Sequence, residues 1–365
     1  MPRAPSTEQR FRALVSGETT GLRATLIRAL LSLASFGYGL AIRLRNAFYD
    51  WRVSRVNPSE LPVVSLGNLT TGGTGKTPLA AFLARWFRDR HVRVCFLSRG
   101  YGAGDSALND EALVLERLCP DVPHLQNPDR VASARIAREE LASQLLILDD
   151  GFQHRRLARN LDLVLIDALT PWGYGHLLPR GLLREPPSSL RRAHLALITR
   201  ADLITPDELS RLRTEITRLA PHLPIAEVAL VADQLVNWSG QAAPPSLGPR
   251  VGAVSAIGNP ESFRRTLQNL GITAPIVREF PDHHRYTRDD VRDLCDWARR
   301  ERLDAVCTTR KDLVKLQLDD LGGVPLWCVD QRVELRAGAD QLAALLTPLL
   351  AQIPPEAADE PDDET

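Results

Sequence analysis

The chain has 365 residues, enough for two domains of ordinary size, and its 44% hydrophobic content supports a packed core. Its 45 basic and 45 acidic side chains cancel, so bulk charge gives no reason to expect a nucleic-acid partner. Five scattered cysteines (Cys95, Cys119, Cys295, Cys307, Cys328) form no C-x-x-C pair, which argues against a metal or redox motif and for buried free thiols in a reducing compartment.

In chain order, the first 20 residues read as polar and frayed. Ala29–Ile42 is an apolar run flanked by Arg23 and Arg28 on one side and Arg43, Arg45, Arg52 and Arg55 on the other. It is short for a transmembrane span, which needs about 20 residues, and no cleavage site marks a signal peptide. Basic flanks and nearby aromatics (Phe36, Tyr38, Phe48, Tyr49, Trp51) suit a helix lying in a membrane interface. A helix that packs on the domain is the alternative.

From Leu61 onward, short apolar runs alternate with helical stretches. Strands are predicted at Val63–Leu66, Val92–Leu97, Leu145–Leu148, Leu163–Ile166 and Leu195–Thr199, with helices at Pro78–Arg88, Glu111–Leu118 and Val131–Leu141 between them. Uninterrupted apolar strands separated by helices predict an α/β fold, a mostly parallel sheet covered on both faces. Val236–Arg250, rich in Gly, Pro and Ser, reads as a linker. A smaller α/β unit follows, with strands at Val251–Ala256, Ala305–Thr308 and Leu326–Val329 and helices at Pro260–Leu270, Arg288–Glu301 and Ala339–Leu350. The expected organisation is therefore an N-terminal helical region (1–55), a nucleotide-binding domain (56–235), a linker (236–250), a smaller domain (251–352) and a disordered acidic tail (353–365).

Gly67–Pro78 reads GNLTTGGTGKTP between a strand and a helix, the context a P-loop requires. Gly72, Gly73, Thr74 and Gly75 would bring backbone N–H groups to phosphate oxygens. Lys76 would reach the β- and γ-phosphates of a nucleotide, and Thr77 would ligate Mg²⁺. Thr70 stands where the usual pattern has its first glycine. A second signal is the strand Leu145–Leu148 ending in Asp149-Asp150, because carboxylates at a strand's C-terminal end hold the metal from the far side in P-loop enzymes. Only three lysines occur, Lys76, Lys311 and Lys315, in a chain that otherwise uses arginine. Each surviving lysine hints at a site that prefers a compact point charge to a planar fork.

GNLTTGGTGKTP, LSRGYG (Leu97–Gly102), LDDGFQH (Leu148–His154), LLPRGLLREP (Leu177–Pro186), AIGNPESF (Ala256–Phe263) and FPDHHRYT (Phe280–Thr287) occur in this order. The series resembles the tetraacyldisaccharide 4'-kinase family from about residue 21 to residue 350. The resemblance implies ATP-dependent phosphorylation of the 4'-hydroxyl of an acylated glucosamine disaccharide 1-phosphate, by a peripheral protein on the cytoplasmic face of the bacterial inner membrane. The partners expected are the acylated disaccharide and the membrane surface, and no protein partner is predicted. The resemblance also implies Gln153 and His154 as nucleotide-binding residues, Glu185 as a further metal ligand, and Asp110 with His283 as a catalytic pair. Asn109 and Ala112 replace the Gly and Pro that flank the acidic residue in the family, which leaves Asp105 as a rival to Asp110. Arg99 could bind substrate phosphate or cap a turn. A regulatory nucleotide switch at the membrane is one other reading, prompted by Thr199-Arg200-Ala201-Asp202, which faintly resembles the base-reading motif of GTPases, and a non-catalytic membrane adaptor, suggested only by the N-terminal helix, is a second.

Overall fold

The computed structural model describes residues 7–100, 110–258 and 260–353. Two helices come first, α1 (Thr7–Ser16) and α2 (Leu22–Asp50). The sheet then begins with β1 (Val63–Asn68), α3 (Lys76–Arg88), β2 (Val94–Ser98), α4 (Asp110–Leu118), β3 (His124–Gln126), α5 (Arg130–Glu139), β4 (Leu145–Asp149), β5 (Leu161–Asp167) and β6 (Leu195–Thr199). It continues through α6 (Pro206–Leu219), β7 (Ile225–Val236), β8 (Val251–Ser255), α7 (Pro260–Asn269), β9 (Ile276–Glu279), α8 (Arg288–Arg300) and β10 (Ala305–Thr308). The chain finishes with α9 (Arg310–Leu316), β11 (Asp320–Leu321), β12 (Val324–Ala337) and α10 (Ala339–Leu350).

Local chemistry sets many of the boundaries. Thr205 caps α6 in a reciprocal capping box with Glu208, with Pro206 in the first helical turn. Thr287 and Asp290 do the same for α8, and the Asp129 side chain accepts from Val131 and Ala132 N–H to start α5. β1, β2, β4, β5 and β6 are buried along their whole length, as apolar strands covered on both faces must be.

The strands form one sheet in the order β3-β2-β4-β1-β5-β6-β7-β12-β10-β8-β9, with β11 paired to β12. The pairs from β3 to β7 are all parallel, and so are those from β12 to β9. The two halves meet where β7 runs antiparallel to β12, from Glu227↔Ala337 to Val236↔Cys328. Two register irregularities interrupt this ribbon, at Asp330/Gln331 and Leu335/Ala337. β6 pairs only with the start of β7, through Thr199↔Val228, so β7 runs on past the C-terminal edge of the first half. β12 starts beside the far end of β7 and returns. The C-terminal edges of the two parallel halves therefore face each other across a cleft, the side on which α/β sheets bind ligands.

The structure draws the domain division differently from the sequence reading. β12 and α10 belong in part to the first half: Leu342, Leu346 and Leu349 of α10 pack with Leu79, Leu83 and Phe87 of α3. The 236–250 segment holds the turn after β7 rather than a free linker, since Asn237 and Ala243 backbone N–H groups pair with Gln241 and Leu235. Helix α2 is 29 residues long, more than the apolar run alone indicated, and by length and composition it could cross a membrane. Its contacts below argue for a different placement. Cys95, Cys119, Cys307 and Cys328 are buried free thiols, and Cys295 is half-buried. The acidic tail, like Asp105, lies outside the described residues.

Candidate functional site

A cleft of about 2000 Å³ lies between the facing sheet edges. Almost every strand end contributes to its wall: the loop after β1, Arg99 after β2, Arg130 after β3, Asp150 after β4, Arg200 after β6 and His283 after β9. The volume exceeds that of a typical small-molecule pocket and has room for a nucleotide and a second large head group.

The glycine loop closes onto α3 through Gly75, whose left-handed backbone (φ 85°) is the residue before the first helical turn. A Cβ on Gly73 would meet nothing within 4 Å, so the loop backbone is open toward the cleft. Lys76 sits beneath it, its Nζ 3.4 Å from Asn68 Oδ1 and 3.4 Å from Asp150 Oδ1. Thr74 Oγ1 accepts from Asn68 Nδ2 at 3.2 Å. Thr70, in the place of the usual glycine, is buried and bridges to Leu183, while Thr71 N–H donates to Leu182 O at 2.8 Å. The Leu177–Glu185 segment thus braces the loop from outside. Arg200 Nη2 braces the other side, donating to Gly73 O at 2.7 Å and to Asp167 Oδ2 at 2.5 Å.

The Asp149-Asp150 turn lies against this cradle. A Cβ on Gly67 would come within 2.5 Å of Phe152 Cβ, so only glycine lets the strand and the acidic turn approach this closely. Gln153 Nε2 ties the two together by donating to Asn68 O at 3.0 Å. Asp150 faces Lys76 and receives Arg184 Nη1 at 2.6 Å. Burial pushes its carboxyl up, but Lys76 and then Arg184 overcome that and hold it below the usual carboxylate range. Asp149 is buried behind it, with an Oδ1 that no donor reaches. Burial, and then the charge of Glu111, push Asp149 well above the usual range, against the pull of Lys76. A buried carboxylate oxygen without a partner beside a phosphate cradle is what a divalent cation would complete, so Thr77, Asp149 and Asp150 fit Mg²⁺.

Glu185 does not. It is 0% exposed, accepts from Arg192 Nη2 at 2.8 Å and from Asn46 Nδ2 at 2.8 Å, and is no part of the cleft wall. Each of its oxygens already accepts a side-chain donor, Oε1 from Arg192 and Oε2 from Asn46. Its role is to join α2 to the segment that braces the glycine loop. His154 lines the cleft beside Arg130, and burial followed by Arg130 and other arginines lowers its imidazole to about 4. It is a neutral side chain at neutral pH.

Asp110 opens α4 and meets the second half of the sheet. Its Oδ2 is 3.0 Å from His283 Nδ1 and 2.9 Å from Lys315 Nζ. Burial pushes Asp110 up, but hydrogen bonds from His283 and Lys315 win and hold it at about 2. His283 is raised above its ordinary value, chiefly by that bond to Asp110. Its backbone is left-handed (φ 58°), a conformation few non-glycine residues hold without a reason. His284 turns away, bonding Asp290 at 3.0 Å and stacking on Phe280.

Of the residues singled out in the sequence, Gly72, Gly73, Thr74, Gly75, Lys76, Thr77, Asp110, Asp150, Gln153, His154 and His283 share this one cleft; Asp149 stands directly behind it and Glu185 lies outside. Sequence reasoning did not single out Arg130, nor Arg184 by itself, and nothing in their local sequence marks them among so many arginines. Lys315 was signalled only by the rarity of lysine.

Helix α2 borders the same cleft through Tyr38, Ile42 and Arg45. Ser35 Oγ donates to Leu177 O and Tyr38 OH to Arg184 O, each at 2.9 Å, and Arg45 donates to Gln153 O at 2.5 Å. The other face is bare: Leu30, Leu33 and Phe36 are 69%, 72% and 72% exposed, in line with exposed Leu22, Leu26 and Leu40.

Residues 27–351 match the model of the tetraacyldisaccharide-1-P 4'-kinase family. A tetraacyldisaccharide 4'-kinase from Anaeromyxobacter dehalogenans (strain 2CP-C) is 41% identical over 354 residues, covering 90% of this chain and 92% of that protein. One from Syntrophus aciditrophicus (strain SB) is 38% identical over 318 residues, covering 79% and 84%. The crystal structure of an "apo" form of LpxK from Aquifex aeolicus in complex with ATP aligns with a TM-score of 0.71 at 29% identity, across 88% of this chain and 99% of that one.

Proposed function

The chain belongs to the tetraacyldisaccharide-1-P 4'-kinase family, and from that premise we propose how its cleft carries the reaction. The protein is an ATP-dependent kinase that phosphorylates the 4'-hydroxyl of a tetraacyl glucosamine disaccharide 1-phosphate in lipid A biosynthesis. Family membership sets aside the regulatory switch.

The nucleotide's phosphates lie on the N–H groups of Gly72–Thr77 at the start of α3, where the helix end favours negative charge. Lys76 neutralises the β- and γ-phosphates. Thr77, Asp149 and Asp150 would hold Mg²⁺, which would supply further charge neutralisation on the phosphates. Gln153 and His154 border the nucleotide side of the cleft. Asp110, oriented by His283, takes the proton of the 4'-hydroxyl as its oxygen bonds to the γ-phosphorus and the bond to the ADP oxygen breaks. The observation that carries this reading is that the Asp110–His283 pair and the glycine loop line one cleft.

The acylated substrate resides in a bilayer, and α2 supplies the contact with it. One face of α2 is hydrogen-bonded to the kinase body from Ser35 to Asn46, which a helix crossing a membrane could not be. Its bare leucine face and flanking arginines match a helix lying in the interface of an anionic membrane. This supports a peripheral position on the cytoplasmic face of the inner membrane, where ATP is available.

The test is transfer of labelled γ-phosphate from ATP to the acylated disaccharide in mixed micelles. Lys76→Ala should abolish transfer, and Asp110→Asn should lower kcat roughly 10²- to 10⁴-fold, the contribution of a positioned base. Near-parental turnover in either variant would remove that residue from the mechanism.

A further inference from the structure

Asp110 receives two donors from the other half of the sheet, and both land on the same oxygen. His283 Nδ1 and Lys315 Nζ each contact Oδ2, at 3.0 and 2.9 Å. We propose that Lys315 is a positioning residue for the catalytic carboxylate: together with His283 it fastens Oδ2 of Asp110, leaving Oδ1 to accept the proton of the sugar hydroxyl. The inference rests on the reading of Asp110 as the base.

Lys315 is built into place rather than draped on a surface. Its side chain is 8% exposed. Its ammonium also donates to His284 O at 3.3 Å and stands 3.9 Å from Asp312 Oδ1. Asp312 is 0% exposed, and its carboxylate is fixed by Ala256 N–H at 3.1 Å, Thr309 Oγ1 at 2.6 Å and Tyr286 OH at 3.2 Å. A chain of buried polar contacts thus runs from the ends of β8 and β10 through Asp312 and Lys315 to Asp110. A compact ammonium with three diverging donors suits those three acceptors, whereas a planar guanidinium would present its donors in one plane. This explains a lysine here in a chain with only three, all of which line the cleft.

Among the described residues, the charged groups around Asp110 include Glu111 on its own helix, His283 and Asp282 from the loop after β9, and Lys311, Lys315 and Asp312 from α9, with Arg99 and Arg285 on the same cleft. α3 also packs on α4, but Lys76 is engaged by Asp150, and Arg85 donates to Leu118 O. β3 adds His124, which burial keeps neutral at about 4. Lys315 is therefore a permanent cation in direct contact with the carboxylate.

The experiment compares transfer rates at pH 4.5 and pH 8 for the full-length protein and three Lys315 variants. Lys315→Met should lower kcat about tenfold or more, with KM for ATP changed less than about twofold. It should also lose a larger fraction of its activity at pH 4.5 than the parent does, because loss of an adjacent cation raises a carboxyl by about 1–3 pH units, and a rise in the upper part of that range carries Asp110 from about 2 up to the lower pH. Lys315→Arg, which keeps the charge, should restore the parental pH ratio while its kcat stays below parental. Lys315→Gln serves as a second neutral variant should the methionine variant fold poorly, as judged by its melting curve. A neutral variant with the parental pH ratio and kcat would overturn the proposal, leaving Lys315 as a bridge between the halves. Asp110→Asn separates the two readings. Parental turnover in that variant refutes Asp110 as base, whereas a dead Asp110→Asn beside unaltered Lys315 variants refutes only the role of Lys315.

Discussion

Glu185→Ala separates a structural carboxylate from a metal ligand. The substitution leaves Arg192 partly buried, with its guanidinium 3.6 Å over the ring of Phe152, a side chain that is itself fully buried. Removing one partner of a buried ion pair costs about 3–5 kcal/mol, because the remaining charge stays desolvated. For a chain somewhat larger than those for which a loss of 1 kcal/mol lowers Tm by ~2–4 °C, the low end applies, so Tm should fall by about 6–10 °C. Asn46 loses its acceptor too, so the effect should extend to the docking of α2. Thermal melts followed by circular dichroism give the first readout, and magnesium titration of transfer at 15 °C gives the second. The pair also makes the effect pH-dependent. Burial raises Glu185, but Arg192 and its other donors win and hold it below its ordinary value. The stability it supplies is thus present above the unfolded carboxyl value and lost as pH falls through the folded one, so parent and variant melts should converge in acid. An unchanged Tm together with a raised magnesium requirement would refute the reasoning and return Glu185 to the metal site.

Leu30→Asp/Leu33→Asp/Phe36→Asp on the bare face of α2 should release the protein from anionic vesicles in flotation while leaving Tm within about 2 °C, since those side chains are mostly exposed; continued flotation would show that α2 only packs. His283→Ala should destabilise the protein more at pH 6 than at pH 9. The folded imidazole titrates above its ordinary value, so its stabilising contact with Asp110 is complete below the unfolded value and fades as pH rises through the folded one. Equal Tm differences at the two pH values would show that the contact carries no charge.

The first half of the sheet was legible because its strands are uninterrupted apolar runs between helices. β6 occupies Leu195–Thr199 as read, and β4 extends the predicted Leu145–Leu148 by one residue, Asp149. The glycine loop was legible because strand, glycines, Lys-Thr and helix occur in order. The long β7–β12 ribbon was not. Within it Val333–Ala337 alternates apolar and polar residues as one-sided strands do, Asp233-Gln234 interrupts the apolar run of β7, and the Pro- and Gly-rich segment after Val236 drew attention away from pairing. α2 was underestimated because Arg43 and Arg45 end the apolar run without ending the helix. Glu185 misled because its neutralising partner Arg192 lies seven residues on, in one of many arginine-bearing segments, and only the short helix at Pro187–Arg192 turns it back. Spacing could not show that His283 reaches Asp110 across 173 positions; the resemblance supplied that pair, and the ribbon explains it.

The return of β12 and α10 to the first half has a consequence for synthesis of the chain. Until the last strand emerges from the ribosome, the outer half of β7 is an open edge, and the face of α3 that meets Leu342, Leu346 and Leu349 lacks its cover. The nucleotide cradle, made from the first quarter of the sequence, is therefore finished by nearly the last element translated. Such distant pairings close slowly and leave sticky intermediates in the meantime, so a nascent chain stalled before residue 324 would present an unpaired strand and an uncovered leucine-rich helix face, both of which chaperones recognise.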